Sequence, residues 1–189
     1  MRRKGFFSAA LWVQTHHQEK AVERILEAHS TIARQAAPPD AGYRWHSESR
    51  EALLNAGVVL LVSYLQAYVE AVFKEAAERA YPAVSKPDLN GIVKGATRQF
   101  HNPSPSNIDR LFLSVGAPRV TYGASWQRWP NQRVRKALKD LVDARHRIAH
   151  GTQTKDSWRH FSTTKKELQQ WHRLVVRFHD YLATKFCRA

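Results

Sequence analysis

Residues 51–80 read EALLNAGVVLLVSYLQAYVEAVFKEAAERA. The stretch contains no proline and a single glycine, Gly57, so nothing in it interrupts a regular helix. As far as Leu65 its apolar residues cover most of the helical surface rather than one stripe. A helix from about Ser47 to Tyr81, closed by Pro82, is therefore predicted at the centre of the fold, with neighbours on more than one side.

Three further stretches show a helical period. The first runs from about residue 7 to 35 and is broken by PPDAG at 38–42. Another runs from about 131 to 149, where Gly151 suits the C′ position. The last spans about 164–186 and opens with Thr164-x-x-Glu167, the pattern of a capping box.

Residues 82–130 are irregular, since they hold six of the eight prolines and four of the eight glycines. Two short helices are predicted there, one over Leu89–Phe100 and one starting at Ser106, where Ser106-x-x-Asp109 also fits a capping box. Gly116 and Pro118 are predicted to end the second. The expected fold is all-α: one domain over 1–189, with four long helices and an insert at about 82–130.

The chain of 189 residues carries 30 Lys and Arg against 16 Asp and Glu, a net charge of +14. This charge favours a polyanionic partner, nucleic acid first and an anionic membrane surface second, although many small proteins are simply basic. One cysteine excludes an intramolecular disulfide and a cysteine-based zinc site. The longest apolar run, Val58–Val62, is far short of the roughly 20 residues that span a bilayer. With no cleavage-site pattern after the basic start, a cytoplasmic protein is predicted.

The stretch 131–151 contains an unusual arginine. At 100° per residue, five apolar residues fall in a wedge about 100° wide, and Arg145 falls near its middle; the five are Val134, Leu138, Leu141, Ile148 and Ala149. His146 and His150 lie near one edge. A guanidinium on an apolar stripe is costly unless it is paired. It could pair internally with Glu70 or Glu75, or it could bind an anion beside two imidazoles that exchange protons.

The segment DARHRIAHG at 143–151 resembles the signature of HEPN domains, in which Arg and a polar residue precede His. Arg145, His146 and His150 match these positions in turn. The segments LLVSYLQAYVEAVFKEAAERA and FHNPSPSNIDRLFLSVG resemble the early helix and the middle of RiboL-PSP-type HEPN proteins. The resemblance covers about 50–186 and implies a helical bundle. It also implies a metal-independent endoribonuclease, without cofactor, of the toxin–antitoxin or antiviral-defence type.

The resemblance further implies how RNA is cut. His150 acts as general base or acid on the 2′-OH or the leaving oxygen, Arg145 holds the scissile phosphate, and His146 orients either. Two protomers commonly line one cleft, so a homodimer is expected, as is a cognate antitoxin or defence-system partner. Relatives often carry an acid on the early helix, where this chain has Gln66, so Glu70 or Gln66 takes the supporting role or the role is absent.

An RNA-binding rim is predicted beside the motif, although an ordinary solvated face is the alternative. Its basic members are Arg128, Arg133, Arg135, Lys136, Lys139 and Arg147. Trp126, Trp129 and Tyr122 either stack on bases or pin a loop to the core. His16, His17 and His29 lack carboxylates or cysteines at ligand spacing, so surface histidines are expected rather than metal ligands. The alternative function is a HEPN module that binds RNA or a partner without cutting.

Overall fold

The computed structural model describes residues 9–34, 43–150, 153–154, 157–158 and 163–187. This part of the chain confirms the all-α prediction, with one pair of two-residue antiparallel strands. The α-helices are α1 (Ala9–Ile32), α2 (Tyr43–Ala80), α3 (Lys86–Arg98), α4 (Pro105–Leu113), α5 (Asn131–His150) and α6 (Lys165–Phe186), and the strands are β1 (Gln153–Thr154) and β2 (Ser157–Trp158). The predicted breaks at 38–42 and Gly151, and the basic start of the chain, lie outside the described residues.

Helix α2 forms the centre of the bundle and packs against α1, α5 and α6. Its buried side chains occupy several faces and include Val58, Leu61, Leu65, Val69 and Phe73. The segment Ser47–Ala80 is long and apolar enough to cross a membrane by length and composition. Its packing inside the bundle accounts for that apolarity, because α1, α5 and α6 cover its faces.

The neighbours of α2 have a definite register. Gly57 lies against the Leu168 side chain of α6, and the Tyr68 hydroxyl donates to the carbonyl oxygen of His179 at 3.0 Å. Near the other end of α2, Arg79 Nη1 donates to the carbonyl oxygen of Phe186. Helix α6 therefore runs parallel to α2, with the starts of the two helices at the same end of the bundle.

Helix α1 runs the opposite way. Gly57 also lies close to the Ile25 side chain, and Arg50, one to two turns earlier in α2, hydrogen-bonds His29, one turn later in α1. The end of α1 and the starts of α2 and α6 consequently meet at one end of the bundle. His29 is buried there, with 6% of its surface exposed, so the prediction of a surface histidine was wrong for this residue.

Of the two capping boxes predicted from the sequence, one is present in the structure and the other is not. Thr164 caps α6: its backbone N donates to Glu167 Oε2 at 2.8 Å, and Glu167 N donates to Thr164 Oγ1 at 3.2 Å, which confirms the capping box. The predicted cap at Ser106 was wrong, because Ser104 caps α4. Pro105 suits the first helical position, where no N–H is needed. The predicted end at Gly116 is confirmed by its φ of 73°.

Asp109 therefore serves a different purpose, tying the insert to α5. It accepts hydrogen bonds from Thr121 N at 2.7 Å, from Thr121 Oγ1 at 2.9 Å and from Arg135 Nη1 at 2.8 Å. The Arg135 guanidinium also donates to Thr121 Oγ1 and lies over the Tyr122 ring, 3.8 Å from its centroid. The Asp109 and Arg135 side chains are 15% and 22% exposed, so this is a partly buried ion pair.

We expect Arg135→Gln to lower the free energy of unfolding by about 1.5–3 kcal/mol, because a mostly buried carboxylate loses a charged hydrogen-bond donor. Urea unfolding at pH 7 measures this. Arg133→Gln is the matched control: Arg133 is exposed and rests on Trp129, so its loss should cost under about 1 kcal/mol. Equal losses in the two variants would contradict the assigned role of Arg135.

A second buried side chain makes the fold sensitive to acid. His179 of α6 is buried against Tyr68, with ring centroids 3.9 Å apart, and neither of its ring nitrogens has a hydrogen-bond partner among the described residues. Burial, followed by the charge of His172, lowers the pKa of His179 from 6.5 to about 3. Folding therefore favours the neutral ring, and the unfolded chain binds the proton more readily.

Since the folded pKa lies below the unfolded one, the stabilisation is complete above about pH 6.5 and is lost as the pH falls towards 3. We expect a loss of about 1.4 kcal/mol per pH unit across this window from His179 alone. Urea unfolding of the wild type and His179→Phe at pH 7 and pH 5 tests this, since the variant should lose about 2 kcal/mol less over that interval. Identical losses would show that His179 does not titrate between the two states.

Candidate functional site

The candidate site lies on the last two turns of α5. Arg145, His146 and His150 are all exposed. Earlier in the helix the face that carries Arg145 is buried, at Leu138 and Leu141. Towards the end of α5 this face is no longer covered by other parts of the bundle. Arg145 therefore lies on the same side of the helix as the buried leucines, but its side chain is exposed.

This exposure contradicts the alternative of a buried arginine with an internal partner. Among the described residues, no hydrogen bond or ion pair joins Arg145 to Glu70 or Glu75. Glu75 instead hydrogen-bonds the buried Cys187 thiol, and burial together with this carboxylate raises the pKa of Cys187 to about 12. The guanidinium of Arg145 is therefore available for an external anion.

The two imidazoles of the motif contact each other. The ring centroids of His146 and His150 are 4.4 Å apart and the ring planes make an angle of 47°. Residues four apart on a helix lie on one face, which brings the two rings together. Paired imidazoles offer both proton donors and proton acceptors, and a guanidinium beside them can hold an anion.

A groove between α5 and α6 leads to the motif. Its open part has a volume of about 630 Å³ and is lined by Lys136, Asp140, Asp143, His146, Arg147, Glu167 and Trp171. An adjoining hollow of about 270 Å³ shares Lys136, Asp140, Glu167 and Trp171 and extends to Trp129 and Arg133. The groove lies where the end of α5 passes beside the start of α6. Sequence reasoning missed it, because Glu167 and Trp171 had only capping and packing roles in the pattern.

The predicted RNA-binding residues fall into different environments. Lys136 pairs with Asp140 at 2.6 Å and Lys139 with Asp143 at 2.5 Å, all on the exposed face of α5. The Asp143 hydrogen bond raises the pKa of Lys139 above its ordinary value.

The arginines of the predicted rim differ as well. Arg128 and Arg147 are exposed, whereas the Arg133 guanidinium lies 4.5 Å from the centroid of Trp129. Arg135 is engaged by Asp109, away from this groove.

The aromatic residues of the predicted rim belong to the loop before α5, at the end of that helix away from the motif. Trp126 and Trp129 pair through backbone hydrogen bonds of 3.1 and 2.8 Å, with their rings stacked at 6.2 Å. Both are half-buried against the core, while Tyr122 is exposed under Arg135. Their contacts favour loop pinning over base stacking for the two tryptophans.

The structure does not bring Gln66 and Glu70 to the motif. Gln66 Nε2 donates to Glu70 Oε1 at 3.0 Å and to the carbonyl oxygen of Phe100 at 3.2 Å, which joins α2 to the residues after α3. Along the bundle axis, Gly57 of α2 lies at the same height as Leu168 at the start of α6, because the two residues are in contact. Gln66 lies nine residues further along α2, which is about 14 Å at 1.5 Å per residue.

The fold and the exposed Arg-x4-His segment define a class: an α-helical bundle of the HEPN type, with the motif at the end of its penultimate long helix. A family model described as RiboL-PSP-HEPN matches residues 87–188, just over half of the 189 residues, and the chain belongs to this family. The matched part includes the motif but not the α2 segment that also resembled the family. Membership indicates a nuclease or another RNA-related function. No curated protein and no solved structure matches the chain.

From its placement, we expect Glu70→Ala to lower the free energy of unfolding by about 1 kcal/mol, through loss of the Gln66 hydrogen bond. Because Glu70 lies away from the motif, any activity on RNA should stay within about twofold of the wild type. Urea unfolding and kcat/KM on RNA provide the measurements, with Glu78→Ala, at an exposed glutamate of α2, as control. A hundredfold loss of cleavage in a folded Glu70→Ala protein would show that Glu70 does take part in the site.

Proposed function

We propose that this protein is a metal-independent endoribonuclease of the toxin or antiviral-defence type. The observation that carries the proposal is the joint exposure of Arg145, His146 and His150 at the end of α5, with the two imidazoles in contact. Membership of the RiboL-PSP-HEPN family supports it.

The reaction is an attack by the ribose 2′-oxygen on the adjacent phosphorus. One imidazole takes the 2′-OH proton as the new P–O bond forms, and an acid gives a proton to the 5′-oxygen as the old P–O bond breaks. His150 fills one of these roles, and His146 fills the other or orients the phosphate. Arg145 holds the non-bridging oxygens and offsets their growing charge. The products are a 2′,3′-cyclic phosphate and a 5′-OH.

The active species in this proposal is a homodimer in which two motifs line one cleft. The stripe that buries Leu138 and Leu141 continues past the bundle through the exposed Arg145 and Ala149. This exposed continuation is the surface we assign to the second copy. A cytoplasmic antitoxin or defence-system partner would act on the same end of α5.

The RNA strand beyond the scissile phosphate would lie along the groove, in contact with exposed cations. These are Arg128, Arg133, Lys136, Lys139 and Arg147. Arg135 is left out of this set because its guanidinium serves Asp109 and Tyr122. Exposed ion pairs such as Lys136–Asp140 are worth under about 1 kcal/mol, so a phosphate can replace the carboxylate at small cost.

The second candidate is a HEPN module that binds RNA or a protein without cutting. The observation in its favour is the Gln66–Glu70 pair, whose hydrogen bond keeps both side chains on α2, away from the motif. The carboxylates of the groove also suit a partner of mixed charge.

To separate the two, a mixed labelled RNA pool is incubated in EDTA with the wild type, Arg145→Ala or His150→Ala. We expect cleavage to 2′,3′-cyclic phosphate ends by the wild type, and losses of at least about 100-fold in both variants, the range for a general acid or base. An RNA with one 2′-deoxynucleotide at the cut site should resist cleavage there.

The matched controls are Arg98→Ala and His101→Ala, exposed residues of the same types at the end of α3 and just after it. Both should cleave like the wild type. Cleavage that survives Arg145→Ala and His150→Ala would refute this site. Tight RNA binding without cleavage by any protein would support the binding module instead.

A further inference from the structure

Two cations from different helices converge on the end of α1. Arg50 of α2 donates from Nε to His29 Nε2 at 3.4 Å. Lys165, the first residue of α6, donates from Nζ to Ser30 Oγ at 2.7 Å. Residues 29, 50 and 165 are distant in the sequence, so only the packing of α1, α2 and α6 creates this cluster.

Neither cation is neutralised by an acid in the described part of the chain. The salt bridges seen there involve neither Arg50 nor Lys165. Glu167, two residues after Lys165, is occupied by the cap of α6. After the bonds to His29 and Ser30, Arg50 retains its Nη donors and Lys165 retains two N–H donors.

The pKa of His29 is affected by both charges. Burial, followed by Arg50 and then Lys165, lowers the pKa of His29, so the ring stays neutral and accepts from Arg50. Both cations are half-buried, which strengthens their field relative to a fully solvated lysine or arginine. A neutral imidazole thus orients one of two unneutralised cations.

The cluster lies at the same end of the bundle as the motif. His146 of α5 and Glu167 of α6 line one groove, and Lys165 is two residues before Glu167. From Lys165 the path continues through Ser30 and His29 to Arg50. Residues 165 and 167 point to different sides of α6, so the start of α6 lies between the groove and this cluster, which share one end of the bundle.

We propose that Arg50 and Lys165 form a phosphate-binding subsite that holds a backbone phosphate of the RNA outside the scissile position. The inference rests on the proposed function, since it assigns a second contact to the same strand. Arginine matches two phosphate oxygens with its planar donors, and lysine adds a point charge. Such contacts set affinity and register rather than sequence preference.

The first test measures binding of uncleaved RNA in the His150→Ala background. Removing both cations with Arg50→Gln and Lys165→Gln should raise Kd about tenfold at 0.15 M salt. The slope of log K against log salt should become shallower by about 0.7 for the lost phosphate contact on a single strand. Lys165→Gln alone, which leaves the Arg50–His29 bond intact, should raise Kd about threefold and covers the case of a double variant that folds poorly.

The matched control removes the same charges from the same helices, with Lys74→Gln on α2 and Arg177→Gln on α6, both exposed. This variant should bind RNA like the background protein. An equal loss in the control would overturn the subsite in favour of net charge, and so would an unchanged Kd in the cluster variant. Absence of RNA binding by the background protein would overturn the proposed function and the RNA subsite together.

A second test uses inorganic phosphate and the NMR signal of the His29 ring, so it does not depend on RNA. A saturable shift in the wild type and in Lys74→Gln/Arg177→Gln, but not in Arg50→Gln/Lys165→Gln, supports an anion site at this cluster. No shift of His29 in any protein would overturn it.

Discussion

The burial of α2 is the constraint on which the rest of the structure depends. A helix with apolar residues on several faces must be surrounded, and α1, α5 and α6 provide that cover. Because α1 runs antiparallel and α6 parallel to α2, the end of α1 and the starts of α2 and α6 share one end of the bundle. Helix α5 runs antiparallel to α6, so its last turns arrive at that end as well.

This arrangement gathers the candidate chemistry at one end, although its residues are scattered along the chain. Tyr181 near the end of α6 donates to the carbonyl oxygen of Val120 at 2.7 Å, in the insert that leads into α5. At the other end of α6, Glu167 shares a groove with His146. The insert therefore fixes the start of α5 at one end of the bundle, which leaves its last turns, with the motif, at the other.

Local signals in the sequence predicted local structure well. Thr164 and Glu167 define a capping box within four residues, and the structure shows it. Ser106 and Asp109 have the same spacing, but Pro105 moves the cap to Ser104 and Asp109 bonds a residue 26 positions later. The angle of Arg145 followed from helical geometry, whereas its exposure depends on how far the covering elements extend. Such long-range placement, like the meeting of His29, Arg50 and Lys165, has no signature in residue spacing.

The 30 basic residues differ in whether a carboxylate is paired with them. Lys136 and Lys139 each have an aspartate four residues later, so part of their field is cancelled within the helix. Arg145, Arg50 and Lys165 have no carboxylate partner in the described part of the chain. A phosphate that binds them displaces no existing ion pair, whereas a phosphate at Lys136 or Lys139 competes with a carboxylate. The net charge of +14 thus favours polyanions in general, and Arg145, Arg50 and Lys165 are cations that could take a phosphate without breaking an ion pair seen in the described part of the chain.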